Sequence, residues 1–237
     1  MGTEYGESPR RDMLKYLTNE PRFILDVGCG VGAFGAELLK YNQREVWGVE
    51  LNENRALKAK EKLTRVFCGD INEVMNELPD RYFDCIIFND ILEHLVYPEA
   101  VLYKINNKLS ENGIVVVSIP NLRHFKILFM ILWEMEFKYV DKGIMDKTHL
   151  RFFTEKSAIR LFEETGYTIC HSELIHKSGS IFAKVVIFFI KLISLNFIFQ
   201  KFRDIEYFHI VIVAKKGIDS LTNSSLEERP LIEAQKL

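Results

Sequence analysis

The stretch Phe23 to Gly35, F-I-L-D-V-G-C-G-V-G-A-F-G, constrains the fold of this chain more than any other. An apolar run that ends in Asp26, breaks into glycines and continues as Ala36, Glu37, Leu38 and Leu39 reads as a buried strand, a tight turn and a helix start. Gly28, Gly30 and Gly32 can adopt positive φ and let the backbone approach a ligand closely. A helix N-terminus behind them presents unsatisfied N–H groups. Such a turn is suited to cradle part of a nucleotide.

The glycine spacing alone leaves the nucleotide open. Read as G-x-G-x-x-G/A through Ala33, it fits the dinucleotide fingerprint, with Glu50 near the distance of a ribose-binding acid. An NAD(P)-dependent oxidoreductase would use the same turn. Two features favour a different ligand: a carboxylate two residues before the first glycine, and a third glycine at Gly32. At the end of a strand beneath the turn, Asp26 would repel a pyrophosphate and hold a cationic amino-acid portion. In this form the stretch resembles the first motif of the class I S-adenosylmethionine-dependent methyltransferases. The resemblance implies S-adenosyl-L-methionine as cofactor, bound through Asp26, Gly28, Gly30 and Gly32. A non-catalytic adaptor that keeps the cofactor fold is a third reading, against which the intact Asp26, Glu50 and Asp70 set argues.

The run E-V-W-G-V-E-L-N reads as a second parallel strand ending in Glu50. A carboxylate there can accept hydrogen bonds from both hydroxyls of a ribose, the role the resemblance implies, with Leu51 beside it. T-R-V-F-C-G-D-I is a third short strand, and by resemblance Asp70 and Ile71 flank the adenine. Y-F-D-C-I-I-F-N-D-I-L-E-H-L supplies a fourth strand, apolar from Cys85 to Phe88, that runs out at Asn89. Ligands gather outside the carboxyl ends of such strands, which places Asn89 at the cofactor edge.

Asp90, Glu93 and His94 form a D-x-x-E-H cluster. If a helical turn begins at Asp90, the three-residue step puts Asp90 and Glu93 on one face with His94 beside them. Carboxylates with imidazole can hold a divalent ion, and neutral His can serve as a general base near pH 7. The spacing resembles the E-x-x-E-H of metal-dependent O-methyltransferases of ubiquinone biosynthesis and of small-RNA 3′ ends. That resemblance implies a further histidine downstream, and K-T-H-L-R-F-F-T-E-K-S offers His149. The expectation is that Asp90, Glu93, His94 and His149 surround the reacting hydroxyl, with or without a metal, with His94 and His149 as candidate bases. Asp90 stands where the relatives carry Glu, and its shorter side chain puts the coordination distance in question.

Strand and helix alternate five times up to Pro120, which implies a doubly wound, mainly parallel sheet with right-handed crossovers. With two later strands the expectation is a seven-stranded α/β fold of Rossmann-like methyltransferase type, the last strand antiparallel. Residues 1–20 read as a cover helix, 21–216 as the methyltransferase domain and 217–237 as a polar tail. Pro98 starts a helix through Leu109, S-E-N-G is a loop, and Thr154 caps a helix closed by Gly166. Residues 121–151, apolar and aromatic, read as an acceptor-side insertion: a lid or an extra core helix. T-H-L-R-F-F-T-E-K-S followed by L-F-E-E-T-G-Y resembles methyltransferases of surface-polysaccharide and O-antigen biosynthesis, which implies a sugar or glycolipid acceptor.

Residues 180–203 are apolar and interrupted by Lys184 and Lys191, each costing on the order of 2.5–3.5 kcal/mol at the centre of a span. The expectation for 181–203 is peripheral membrane contact or a homodimer interface, with packing over the acceptor cleft as the remaining option. A net charge of −2 gives no general attraction to nucleic acid, so the partner is a small-molecule or glycan acceptor. Four cysteines without metal or disulfide spacing, and a charged beginning without a signal-peptide core, point to a cytoplasmic protein, peripheral at the membrane if 181–203 binds it.

Overall fold

β-branched and aromatic runs build seven strands in a single sheet: β1 (Phe23–Val27), β2 (Glu45–Glu50), β3 (Arg65–Cys68), β4 (Phe83–Asn89), β5 (Leu109–Pro120), β6 (Tyr167–Lys177) and β7 (Tyr207–Lys216). The computed structural model describes residues 9–18, 20–41, 43–179, 184–185 and 203–217. The expectations for residues 1–8 of the cover, for most of the apolar segment 180–203 and for the tail beyond 217 lie outside the described residues. The order is β3-β2-β1-β4-β5-β7-β6. The first five strands are parallel, and β7 runs antiparallel to both β5 and β6. This is the expected α/β sheet. Its order reverses between β1 and β4, which opens a crevice above their carboxyl ends.

The centre of the sheet is dry on both faces because its strands are apolar on alternate residues in both directions. Leu25, Ile86, Val115 and Phe162 pack on one face, Ile24, Ile87, Val116 and Met13 on the other. The helices are α1 (Ala33–Leu38), α2 (Glu53–Lys60), α3 (Ile71–Val74), α4 (Pro98–Ile105), α5 (Phe125–Leu132) and α6 (Glu155–Glu164). The cover takes the form of a short 3₁₀ helix at Arg11–Tyr16 that buries Met13 and Tyr16.

Two local readings change. The helix from Pro98 ends at Ile105 and passes through a 3₁₀ turn, Asn106–Lys108, while S-E-N-G lies within β5. Leu109 is fully buried and pairs with Phe83, after which the register shifts before Cys85 meets Ile114. Burial of Leu109 against Phe83 thus draws the chain into the sheet early, and a bulge absorbs the surplus residues.

The insertion is rooted in the sheet. The Asn121 side-chain amide donates to the carbonyls of Asp204 and Tyr207 (2.8 and 3.0 Å), Arg123 pairs with Asp204 at 2.6 Å, and the Phe125 N–H donates to Ile205. Beyond that root it holds its own small cluster, Ile127, Ile144 and Met145, separate from the two main layers. It is neither an ordinary core helix nor wholly exposed. No helix among the described residues is long and apolar enough to cross a membrane.

Helix α6 begins as the sequence predicts. Thr154 Oγ1 accepts from the Ser157 N–H, Ser157 Oγ accepts from the Thr154 N–H, and Gly166 follows the helix at φ 87°. Replacing Thr154 by Ala removes one half of this reciprocal cap and is expected to lower stability by about 1 kcal/mol in urea titration, with an unchanged m-value.

Candidate functional site

The turn after β1 takes the left-handed conformations that its glycines permit: φ is 73° at Gly28, 57° at Gly30 and 72° at Gly32. It is stapled to β2, because the N–H groups of Gly28 and Cys29 both donate to the Val49 carbonyl (2.8 and 3.1 Å). A Cβ at Gly28 would lie 2.0 Å from Ile91 Cδ1, so backbone and side chain meet there with no room to spare. Gly32 caps α1 and serves packing instead: a Cβ there would press on the Ala59 backbone at 3.2 Å.

Above the turn is a cavity of about 540 Å³. Gly28, Gly30, Glu50, Leu51, Asp70 and Ile71 line it, as read from the sequence. Three residues named with them do not: Asp26, Gly32 and Asn89 are off its wall. The opposite wall, which the strand-tip pattern did not disclose, comes from Ile91, His94 and Leu95 and from the insertion loop at Asp141, Lys142 and Thr148. A lid reading of 121–151 was the one signal for that loop.

Glu50 is 7% exposed and each of its oxygens accepts one backbone N–H, from Gly30 and from Asn52, both at 2.9 Å. A carboxylate oxygen has a second lone pair, so the capacity to accept two hydroxyls is intact. Asp70 uses Oδ1 to cap α3, accepting from the Asn72 N–H at 2.7 Å and from its side-chain amide at 2.8 Å. Asp26 lies beneath the turn, 2% exposed. Burial, with Glu50 nearby adding to it, pushes its carboxyl up to about 7. Asn89 ends β4 with both atoms of its side-chain amide buried and unpartnered.

The D-x-x-E-H cluster divides. Asp90 adopts φ 56°, so no helical turn starts there; a 3₁₀ turn forms at Leu92–His94 instead. Its carboxylate accepts from the Arg10 guanidinium and from Ser118 Oγ at 2.6 Å, and His209 Nε2 lies 3.6 Å away. The expected convergence of Asp90 with Glu93 therefore fails, because a cation eighty residues upstream and a β5 hydroxyl engage Asp90. Glu93, His94 and His149 do converge, with one ligand atom of each within 4.8 Å of the others.

Their geometry is fixed from outside. A carbonyl can only accept, so His94 Nδ1–H donates to Thr148 (3.1 Å) and His149 Nδ1–H to Ile144 (2.9 Å), which leaves both Nε2 atoms with a lone pair when neutral. The Glu93 carbonyl accepts from the N–H groups of Leu150 and Arg151 (2.8 and 3.0 Å), tying the two sequence-distant segments together. The Glu93 carboxylate is 1% exposed and neither oxygen has a hydrogen-bond partner; the nearest approach is His149 Nε2 at 4.0 Å. Burial, reinforced by Asp90, holds its carboxyl well above the usual range, and burial lowers His94.

A glycine turn over a strand end, with an acid at each of the next two strand tips, defines a nucleoside-binding α/β domain of the seven-stranded type. A family described as "Methyltransferase domain" matches residues 4–172. The chain belongs to that family, within the class I S-adenosylmethionine-dependent methyltransferases. A malonyl-[acyl-carrier protein] O-methyltransferase of Halalkalibacterium halodurans is 29% identical over 119 residues, 47% of this chain and 42% of that protein. The chain thus spans less than half the length of that relative. A ubiquinone biosynthesis O-methyltransferase of Photobacterium profundum is 29% identical over 165 residues, 64% of this chain and 68% of that one. A solved S-adenosylmethionine-dependent methyltransferase from Archaeoglobus fulgidus shares the fold at TM-score 0.60, with 23% identity over 82% of this chain and 86% of that chain.

Two outcomes test the cofactor half of the site. Gly28→Ala, strained at its φ and clashing with Ile91, is expected to weaken S-adenosylmethionine binding at least roughly tenfold by calorimetry, with the fold intact by circular dichroism. Asp26 binds a proton more tightly in the folded chain than in the unfolded one, so its burial costs stability increasingly as pH rises from its ordinary 3.8 to about 7. A cationic ligand favours the ionised carboxyl. Binding near about pH 6 is therefore expected to release protons, with affinity climbing toward about pH 7 and then levelling. Calorimetry in buffers of different ionisation enthalpy measures the release, which Asp26→Asn should abolish.

Proposed function

We propose that this protein transfers the activated methyl group of S-adenosylmethionine to an oxygen nucleophile, a hydroxyl on a sugar, glycolipid or other small molecule. One observation carries the reading: His94 lines the glycine-walled cavity and at the same time stands in the cluster with Glu93 and His149. The nucleoside side and a proton-handling group therefore share a wall.

The residues fit the cofactor. Gly28 and Gly30 line the cavity with backbone, Glu50 retains acceptor capacity for ribose hydroxyls, and buried Asp26 gains from a cation above it. When bound, S-adenosylmethionine supplies a methyl group on positively charged sulfur. The chain's own part is to hold the acceptor oxygen in line, to exclude water with Ile91 and Leu95, and to accept the hydroxyl proton at Nε2 of His94 or His149. Alignment contributes most, and a neutral imidazole contributes the rest as base.

The same cluster also fits a divalent cation. With Nδ1 of each ring spent on a carbonyl, the Nε2 lone pairs of His94 and His149 and the buried Glu93 carboxylate make a three-ligand set. Glu93, His94 and His149 would hold the ion, and Asp90, engaged by Arg10, would not. A cation there would ease ionisation of a bound hydroxyl.

The test is metal content of the purified protein together with S-adenosylhomocysteine release on a panel of sugar and glycolipid hydroxyls. Glu93→Gln and His149→Ala are expected to lose the ion, to lower turnover by at least ~10²-fold and to leave cofactor affinity within about twofold. Unchanged metal content and unchanged turnover in both variants would remove the cluster from the mechanism. Cofactor binding without turnover on any acceptor would favour the adaptor reading.

A further inference from the structure

The insertion borders a second cavity, a half-open hollow of about 720 Å³, apart from the cofactor cavity and the cluster of Glu93, His94 and His149. That volume falls within the ~300–1,000 Å³ range of small-molecule sites. Its apolar wall is made by Phe125, Phe129 and Met130 of α5, by Ile144 and Met145 of the returning loop and by Phe208 of β7. Leu132 at the end of α5 and Trp133 and Met135 just beyond it are each at least three-quarters exposed (77, 76 and 87%), an apolar approach that water does not favour.

The charged groups of this cavity are mostly cationic. Lys126, Lys138 and Lys142 line it against a single carboxylate, Glu134, and none of the three forms an ion pair among the described residues. His124, fully buried in the same wall, lies stacked on Phe208 at 3.9 Å. Its Nδ1 accepts from the Lys126 N–H at 3.4 Å, so the neutral ring carries its proton on Nε2, and Nε2 has no partner. A buried donor without a partner, and three exposed lysines at the rim of an apolar hollow, one of them with Nζ 6.0 Å from the Phe208 ring centroid, are complementary to a chain that is greasy along its length and acidic at one end.

We propose that this cavity binds an anionic amphiphile, its apolar chain against α5 and its carboxylate or phosphate group held by the lysines of the same wall. On the methyltransferase reading, on which this step rests, the amphiphile is the methyl acceptor. The loop between the cavities connects the two: Lys142 lines both, and Ile144 gives its side chain to the apolar cavity while its carbonyl fixes Nδ1 of His149. A chain seated on Ile144 lies against the segment that orients the proposed base.

The experiment is calorimetric titration of the full chain, below micelle concentration, with laurate, dodecyl phosphate, dodecanol and dodecyltrimethylammonium. The two anions are expected to bind one per chain and at least about tenfold tighter than dodecanol, with no binding of the cation, and the tighter anion identifies the acid group. The Lys126→Glu/Lys138→Glu double variant is expected to lose at least about tenfold for both anions, and Met130→Trp, which fills the hollow, to lose binding of all probes. S-adenosylmethionine affinity, read on the same samples, should not change and serves as the folding control. Equal binding of anion and cation, or wild-type anion affinity in the double variant, overturns the proposal. Failure of the wild type to bind S-adenosylmethionine would instead fault the methyltransferase reading beneath it.

Discussion

Two carboxylates held in a dry place govern this structure. Asp26 lies next to the end of β1 and Glu50 ends the neighbouring parallel β2, 2% and 7% exposed, with the glycine turn folded over them. Buried like charges repel and lose solvation, so the fold meets a cost there that it offsets with packing elsewhere. Backbone donors answer part of it: Glu50 takes N–H bonds from Gly30 and Asn52, and so shapes the very turn that a ligand would touch. What remains is a concentrated negative potential at a crevice, an arrangement suited to a sulfonium-bearing nucleoside and opposed to a diphosphate.

The histidine and glutamate cluster depends on a different device. Glu93 comes from the 3₁₀ turn after β4 and His149 from the far end of the insertion, and two backbone hydrogen bonds from 150 and 151 to the Glu93 carbonyl hold the segments in register. Carbonyls of Ile144 and Thr148 then set the tautomer of each imidazole. Main chain thus decides which nitrogen of each ring carries the proton, and the two rings also meet edge to face with centroids 4.7 Å apart.

Much of the sheet and the cofactor side could be read from the sequence, because both follow from local rules. Period-two apolar runs mark strands, glycines mark the turn, and acids at strand tips mark the crevice. Asp90 could not be read in that way. Its conformation follows from Arg10 and Ser118, eighty and twenty-eight residues away, and a three-residue spacing carries no information about either. Leu109 was drawn into β5 by Phe83, again across the fold. The wall at Asp141, Lys142 and Thr148 was hidden for the same reason: a loop's path over a cleft depends on where its ends are anchored, here by Asn121 and Arg123 to the segment before β7.

The loop that carries Lys142 and Ile144 separates the two cavities, with Lys142 lining both. A partition that moved when one chamber filled would present a changed surface to the other. Linkage makes any such influence mutual and of equal size in both directions. On the proposed reading, nucleoside and acceptor would need no contact with one another to sense each other's presence, and the order in which they arrive would become a property of one short stretch of backbone.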